Sequence, residues 1–113
     1  DGVVISNHGG RQAEPAVSAL DMLPLVRAAV GERIALFIDG GVRRGSDIAV
    51  ALALGADAVL TGRATLYGLA AGGAPGVARA IDILRTELDR TLALVGLCGV
   101  GELTVDILRP GNV

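Results

Sequence analysis

The chain has 113 residues, room for one small domain with one core, and half of it is apolar although it holds one Phe, one Tyr and no Trp. A net charge of −2, no basic cluster and almost no rings for stacking argue against a nucleic-acid partner. The single cysteine, Cys98, excludes an internal disulfide and a Cys-based zinc site and makes a reducing, cytoplasmic compartment the expectation. The longest apolar stretch, around Ile48 to Ala56, is too short to cross a bilayer.

The first predicted element is a strand, Val3 to Ser6, a continuous apolar run of the kind found in parallel sheets covered on both faces. It empties into "NHGGRQ", which contains the chain's only histidine. His8 is a candidate general base, because an imidazole can accept a proton at physiological pH. Arg11 is a candidate carboxylate clamp, because a guanidinium offers a planar two-pronged donor. The plainer alternative is a histidine that caps a neighbouring helix; Gly9 and Gly10 favour close approach by a ligand.

Ser18 with Asp21 reads as a capping box for a helix running to about Val30, closed by Gly31, with Pro24 predicting a kink or a late start. A second strand, Ile34 to Ile38, leads into "DGGVRRGSD", where two glycines let the backbone approach a ligand closely. Asp39 either caps this turn or accepts hydrogen bonds from ligand hydroxyls. The loop ends at a helix N-terminus, with Ser46 capping "DIAVALAL" and Gly55 ending it.

The third strand, Ala58 to Thr61, opens into "TGRATLYG", which repeats the arrangement with Gly62 and Arg63. Free backbone N–H groups, a helix dipole and a guanidinium together make a phosphate site. "TLYGLAA" is expected as a short helix, with Tyr67 as packing or surface. A long amphipathic helix follows from Pro75 to about Leu97, its apolar face made by Val77, Ile81, Leu84, Leu88, Leu92 and Val95. Arg79, Arg85, Glu87, Asp89 and Arg90 read as its solvated face, and Arg44 as pointing away from the ligand. Cys98 reads as a small buried hydrophobe, and the stretch from there to Val113 as short helical turns and a tail.

Strand, loop and helix three times over make a run of right-handed βαβ units, either in an open doubly wound sheet or in part of a (β/α)8 barrel. In both, chemistry sits at the C-terminal ends of the strands, which puts the three loops on one rim. The chain lacks an initiator Met and starts inside a predicted strand, so a piece of a longer chain is expected.

"SNHGGRQ" followed by "IDGGVRRGSDIAVALALGADAVLTGRA" resembles the C-terminal part of the FMN-dependent 2-hydroxy-acid dehydrogenases and oxidases. The likeness covers nearly the whole chain, 1–113, and "HGGRQ" is its most specific element. It implies the last three βα units of a (β/α)8 TIM barrel. It also implies His8 as catalytic base, Arg11 as substrate-carboxylate ligand and Asp39 as a ligand of the FMN ribityl chain. Gly41, Arg43, Gly62 and Arg63 would form the flavin-phosphate site.

The implied reaction is oxidation of an L-2-hydroxy acid, lactate-like or mandelate-like, to the 2-oxo acid, with electrons passing through FMN to a quinone, a carrier or O2. A homo-oligomer is implied for the whole enzyme, in the cytoplasm or associated with the membrane at its cytoplasmic face. "GRATLYGLAA", with Ala64 where many oxidases have Pro, points to a dehydrogenase. Gln12, Ala13 and Glu14 stand where many members have "QLD". The family also uses a Lys near the flavin, an Asp that orients the base and Tyr residues near the substrate. This chain contains no Lys, so it would hold half of an active site and be inactive alone. The rival expectation is a truncated, non-catalytic remnant or interaction module of the same fold.

Overall fold

A computed structural model describes residues 1–12 and 16–108. Strands β1 (Gly2–Ile5), β2 (Ala35–Ile38) and β3 (Ala58–Val59) form one parallel sheet in the order β1-β2-β3. Val3 pairs with Leu36, Ile5 with Ile38, and Ile38 with Val59, so these residues share a face. Helices α1 (Ala19–Val30) and α2 (Gly45–Ala53) cover that face. Leu36 and Ile38 are buried there with Ala19 and Leu23 of α1, Ala51 of α2, and Ala56. The opposite face carries Val4 and Phe37, paired in register, and neither joins a buried cluster. Val4 is 49% exposed, so the apolar pattern that predicts cover on both faces is met here on one.

Ser18 caps α1 as expected. Its Oγ accepts the Asp21 N–H and donates to the Asp21 carboxylate, while Gly31 closes the helix at φ 61°. The helix runs unbroken through Pro24, whose exposed ring projects from it, so neither kink nor late start occurs. Ser46 does not cap α2: it lies inside the helix, and the Asp47 carboxylate accepts the Arg43 and Arg44 N–H groups instead.

The longest element, α3 (Arg63–Leu94), is bent at Gly72 and Gly73, the latter at φ 61° and ψ −146°. Its two arms, 63–71 and 74–94, correspond to the short and long helices expected from the sequence. Pro75 opens the second arm, where a missing N–H costs nothing. Leu84 and Leu92 are buried and Leu88 is half-buried, but Ile81 is 53% exposed, so the apolar stripe is narrower than its spacing predicts.

A second cluster joins Ala49 and Ala53 of α2 to Leu92 and Leu103. Cys98, expected buried, is exposed, because the chain has left the helix by then and passes into short turns at Val100–Glu102 and Val105–Ile107. The tail from residue 109 lies outside the described residues.

At the end of the sheet opposite the glycine loops, Arg27 of α1 ties together the two connections that lead into β2 and β3. Its guanidinium donates to the carbonyls of Gly55, Gly31 and Ile34 and pairs with Asp57. Asp57 also accepts the Leu36 N–H at 2.7 Å. That N–H, and then the Arg27 guanidinium, hold the Asp57 carboxyl below the usual carboxylate range.

A depressed folded-state pKa adds stability that is present above the unfolded value, about 3.9, and is lost as pH falls through the folded value. The stability difference between wild type and Asp57→Asn is therefore expected to be full above about pH 4 and to close in stronger acid. Denaturant titrations at a series of pH values measure it. A gap that does not change between pH 7 and pH 2 would show that the carboxylate charge contributes nothing.

Candidate active site

The parallel sheet delivers its three loops to one end, and two of them form an open cleft of about 720 Å³. Asp39, Gly41, Arg43, Gly62 and Arg63 all line it, as do Leu60 and Tyr67, while the first loop contributes Gly9. The backbone explains part of this composition. Gly40 and Gly41 leave β2 at φ 94° and 78°, a left-handed pair that other residues adopt only with strain.

Gly62 has an ordinary φ of −113° and nothing within 4 Å of where a Cβ would stand. Among the described residues no neighbour requires a glycine there. What its missing side chain leaves open is the cleft itself.

Two helices begin beside this cleft, and they are not equivalent. The N–H groups entering α2 are mostly taken: Arg43 and Arg44 donate to Asp47, and Gly45 donates to the Glu87 carboxylate at 2.8 Å, while the Ser46 N–H has no partner among the described residues. Two internal carboxylates thus lie at the positive end of α2, which leaves it less open to an anion and corrects the reading of Glu87 as a solvated charge. Helix α3 differs. Its cap, Gly62, has no side chain, and its first helical bond runs from the Leu66 N–H to the Gly62 carbonyl. The N–H groups of Arg63, Ala64 and Thr65 have no partner among the described residues. With the side chains of Arg43 and Arg63 lining the same cleft, this is where an anion would be held.

Asp39 extends the line of β2, its N–H bonded to the Ile5 carbonyl at 3.2 Å. Its Oδ1 is buried and has no hydrogen-bond partner. An unpaired buried acceptor costs about 1–3 kcal/mol, so a donor from a ligand hydroxyl is favoured there. Of the two readings of Asp39, turn cap or ligand acceptor, the geometry fits the second.

The first loop is built differently. His8, Gly9 and Gly10 all have positive φ, 53°, 72° and 71°, making a short left-handed turn whose one non-glycine member is the histidine. Ser6 Oγ accepts the His8 N–H, and the Asn7 carbonyl accepts the Gly10 N–H. His8 and Arg11 are both exposed and lie with Gln12 along a shallow depression of their own, separate from the larger cleft. Neither side chain has a hydrogen-bond partner among the described residues. Ala13 and Glu14 lie outside the described residues.

Arg44, exposed, does not line the cleft; Tyr67, 68% exposed, does, and only its place in the first turns of α3 reveals that. Among the described residues no group of His, Cys, Asp and Glu could hold a metal.

Residues 1–110 match the family model described as FMN-dependent dehydrogenase. The chain belongs to this family. It is 51% identical over its whole length to (S)-mandelate dehydrogenase of Pseudomonas putida, 28% of which it covers. It is 47% identical to an L-lactate oxidase of Nostoc sp., covering 95% of this chain and 29% of that one.

A soluble mutant of the membrane-associated P. putida (S)-mandelate dehydrogenase superposes with a TM-score of 0.93 at 50% identity, over 98% of this chain and 31% of the other. Flavocytochrome b2 superposes with a TM-score of 0.89 at 41% identity, over 96% and 29%. The chain thus spans about 30% of the length of the relatives it matches, and the fold is part of their TIM barrel, its C-terminal part. The sheet of this FMN-dependent dehydrogenase chain is a barrel segment and not an open doubly wound sheet. The residues of the larger cleft fit the family's cofactor: an unpaired buried acceptor for ribityl hydroxyls, and two guanidiniums with three free N–H groups for a phosphate.

Proposed function

We propose that this chain carries the proton-accepting base, the carboxylate clamp and the flavin-phosphate site of an enzyme that oxidises an L-2-hydroxy acid to the 2-oxo acid. The observation that carries the reading is the shared rim. The left-handed "HGGR" turn stands beside a cleft with the donors and acceptor that a flavin phosphate and ribityl chain require. The names of the relatives, mandelate dehydrogenase and lactate oxidase, support this substrate class.

FMN, when bound, supplies the acceptor for the two electrons that leave the hydroxy acid. Arg43, Arg63 and the opening N–H groups of α3 hold the phosphate, and Asp39 Oδ1 accepts from a ribityl hydroxyl. Gly41 and Gly62 keep side chains out of the way. Arg11 grips the substrate carboxylate with its two-pronged donor, fixing the carbon to be oxidised. The His8 imidazole takes the proton that the substrate gives up.

A quinone, a protein carrier or O2 would be the final acceptor, and the motif "GRATLYGLAA" favours dehydrogenase over oxidase. One relative is a monotopic membrane protein; no described helix here is long and apolar enough to cross a membrane.

In the complete enzyme Arg63→Ala is expected to weaken FMN retention more than it changes the substrate KM. The phosphate loses a charge-assisted hydrogen bond, about 1.5–3 kcal/mol or tenfold and upward in affinity. Flavin content after dialysis measures this. Full occupancy with a raised KM would move Arg63 to the substrate.

A further inference from the structure

We infer that Asn7 is a positioning residue for the "HGGR" turn, riveting the segment that carries His8 and Arg11 to the segment before α1. The inference rests on the reading of His8 and Arg11 given above. Three observations support it. The Asn7 side-chain N–H donates to the Val17 carbonyl at 3.3 Å, closing the segment between them across ten residues. The Asn7 backbone carbonyl accepts the Gly10 N–H at 2.9 Å, which closes the left-handed turn from within. The Asn7 Oδ1 faces Gly40 of the second loop, 3.4 Å from where a Cβ would stand, so the glycine there leaves room for the amide. One half-buried residue therefore closes its own glycine turn, ties it to the entry of α1 and lies beside the second loop.

The turn needs such an anchor. Left-handed backbone strains a residue that has a Cβ, and His8 sits there at φ 53° with two glycines after it that resist no displacement. Without the bond to Val17 the turn can relax, and the imidazole and guanidinium it carries lose their common orientation. An error of about 1 Å in such placement costs on the order of a hundredfold in rate.

The experiment uses the complete, flavin-loaded enzyme, with Asn7→Asp and Asn7→Ser compared with wild type and His8→Ala. Asp keeps the shape but turns an oxygen toward the Val17 carbonyl; Ser cannot reach it. Both variants are expected to reduce bound flavin at least tenfold more slowly per flavin and to bind oxalate, an unreactive carboxylate probe, several-fold more weakly. Hydrogen exchange should quicken in residues 8–12, with no matching change in β2.

A variant that keeps its flavin and matches wild type in reduction rate and oxalate affinity overturns the inference, whatever its melting temperature. If neither variant retains flavin, amide exchange in wild type decides: protection of Gly10 equal to that of β1 supports the anchor, and loop-like exchange refutes it. His8→Ala separates the failures. If it is inactive while the Asn7 variants are normal, only this inference falls; if it too is normal, the assignment of His8 falls first.

Discussion

Replacing His8 with alanine in the complete enzyme is expected to slow flavin reduction about 10²–10⁴-fold while leaving substrate binding nearly intact. A base contributes when the proton moves and little before, so its loss appears in the rate and hardly in Kd. Arg11→Lys is expected to damage both. The clamp holds the carboxylate in the ground state and also aligns the reacting carbon, so its loss raises Kd and lowers the rate together. Lys retains the charge but lacks the planar fork, which makes this substitution a test of geometry. Anaerobic stopped-flow reduction at a series of hydroxy-acid concentrations separates the two constants. Reduction at near wild-type rate in His8→Ala would remove His8 from the role of base, and wild-type behaviour of Arg11→Lys would do the same for the clamp.

The second large effect lies away from the chemistry. Gly45→Ala is expected to prevent stable folding, or to lower stability by about 3 kcal/mol or more, the upper end for overpacked sites. Gly45 is buried at the start of α2, and a Cβ there would collide with the backbone of Glu87 and Leu88 in α3. A side chain could rotate away from such a methyl group; a helix backbone cannot. The two helices would have to part, opening the cluster around Ala49, Ala53 and Leu92 and breaking the Gly45–Glu87 hydrogen bond.

Against a total stability of about 5–15 kcal/mol, that is a large fraction. Thermal or urea unfolding of the variant measures it. A midpoint within a few degrees of wild type would show that the close helix approach is dispensable. Since Glu87 also takes the Gly45 N–H, the same packing places a carboxylate at the N-terminus of α2, and none bonds the opening N–H groups of α3 among the described residues.

Much of this was legible in the chain itself. Apolar runs between glycine loops placed all three strands to within a residue or two, because a parallel strand announces itself by its side chains alone. Ser18, Asp21 and Gly31 bounded α1, because capping is local chemistry between residues a few positions apart. The repeated order of strand, loop and helix put "NHGGRQ", "DGGVRRG" and "TGRA" at one end of the sheet. The glycines and arginines of the second and third loops pointed to an anion, and the spacing of His8 and Arg11 to proton transfer beside a carboxylate.

Tertiary structure decided what depends on residues far apart in the chain. Glu87 reads as one more solvated helix charge until α3 is seen to cross the start of α2, 42 residues away in sequence. Arg27 and Asp57 carry no motif, yet together they fasten one end of the sheet. The cap of α2 is the local exception: Ser46 is the cap by residue type, but Asp47 sits one position further into the first turn, and its carboxylate reaches back three and four residues to both arginine N–H groups. That the Asp39 Oδ1 is buried without a partner among the described residues, and so bonds nothing in its own turn, is something no spacing encodes. A local sequence determines dihedral preference, capping and periodicity. Which helix end stays free, which carboxylate is already paired and which polar atom is left alone arise only when separate elements pack, because each is set by a neighbour the local sequence does not contain.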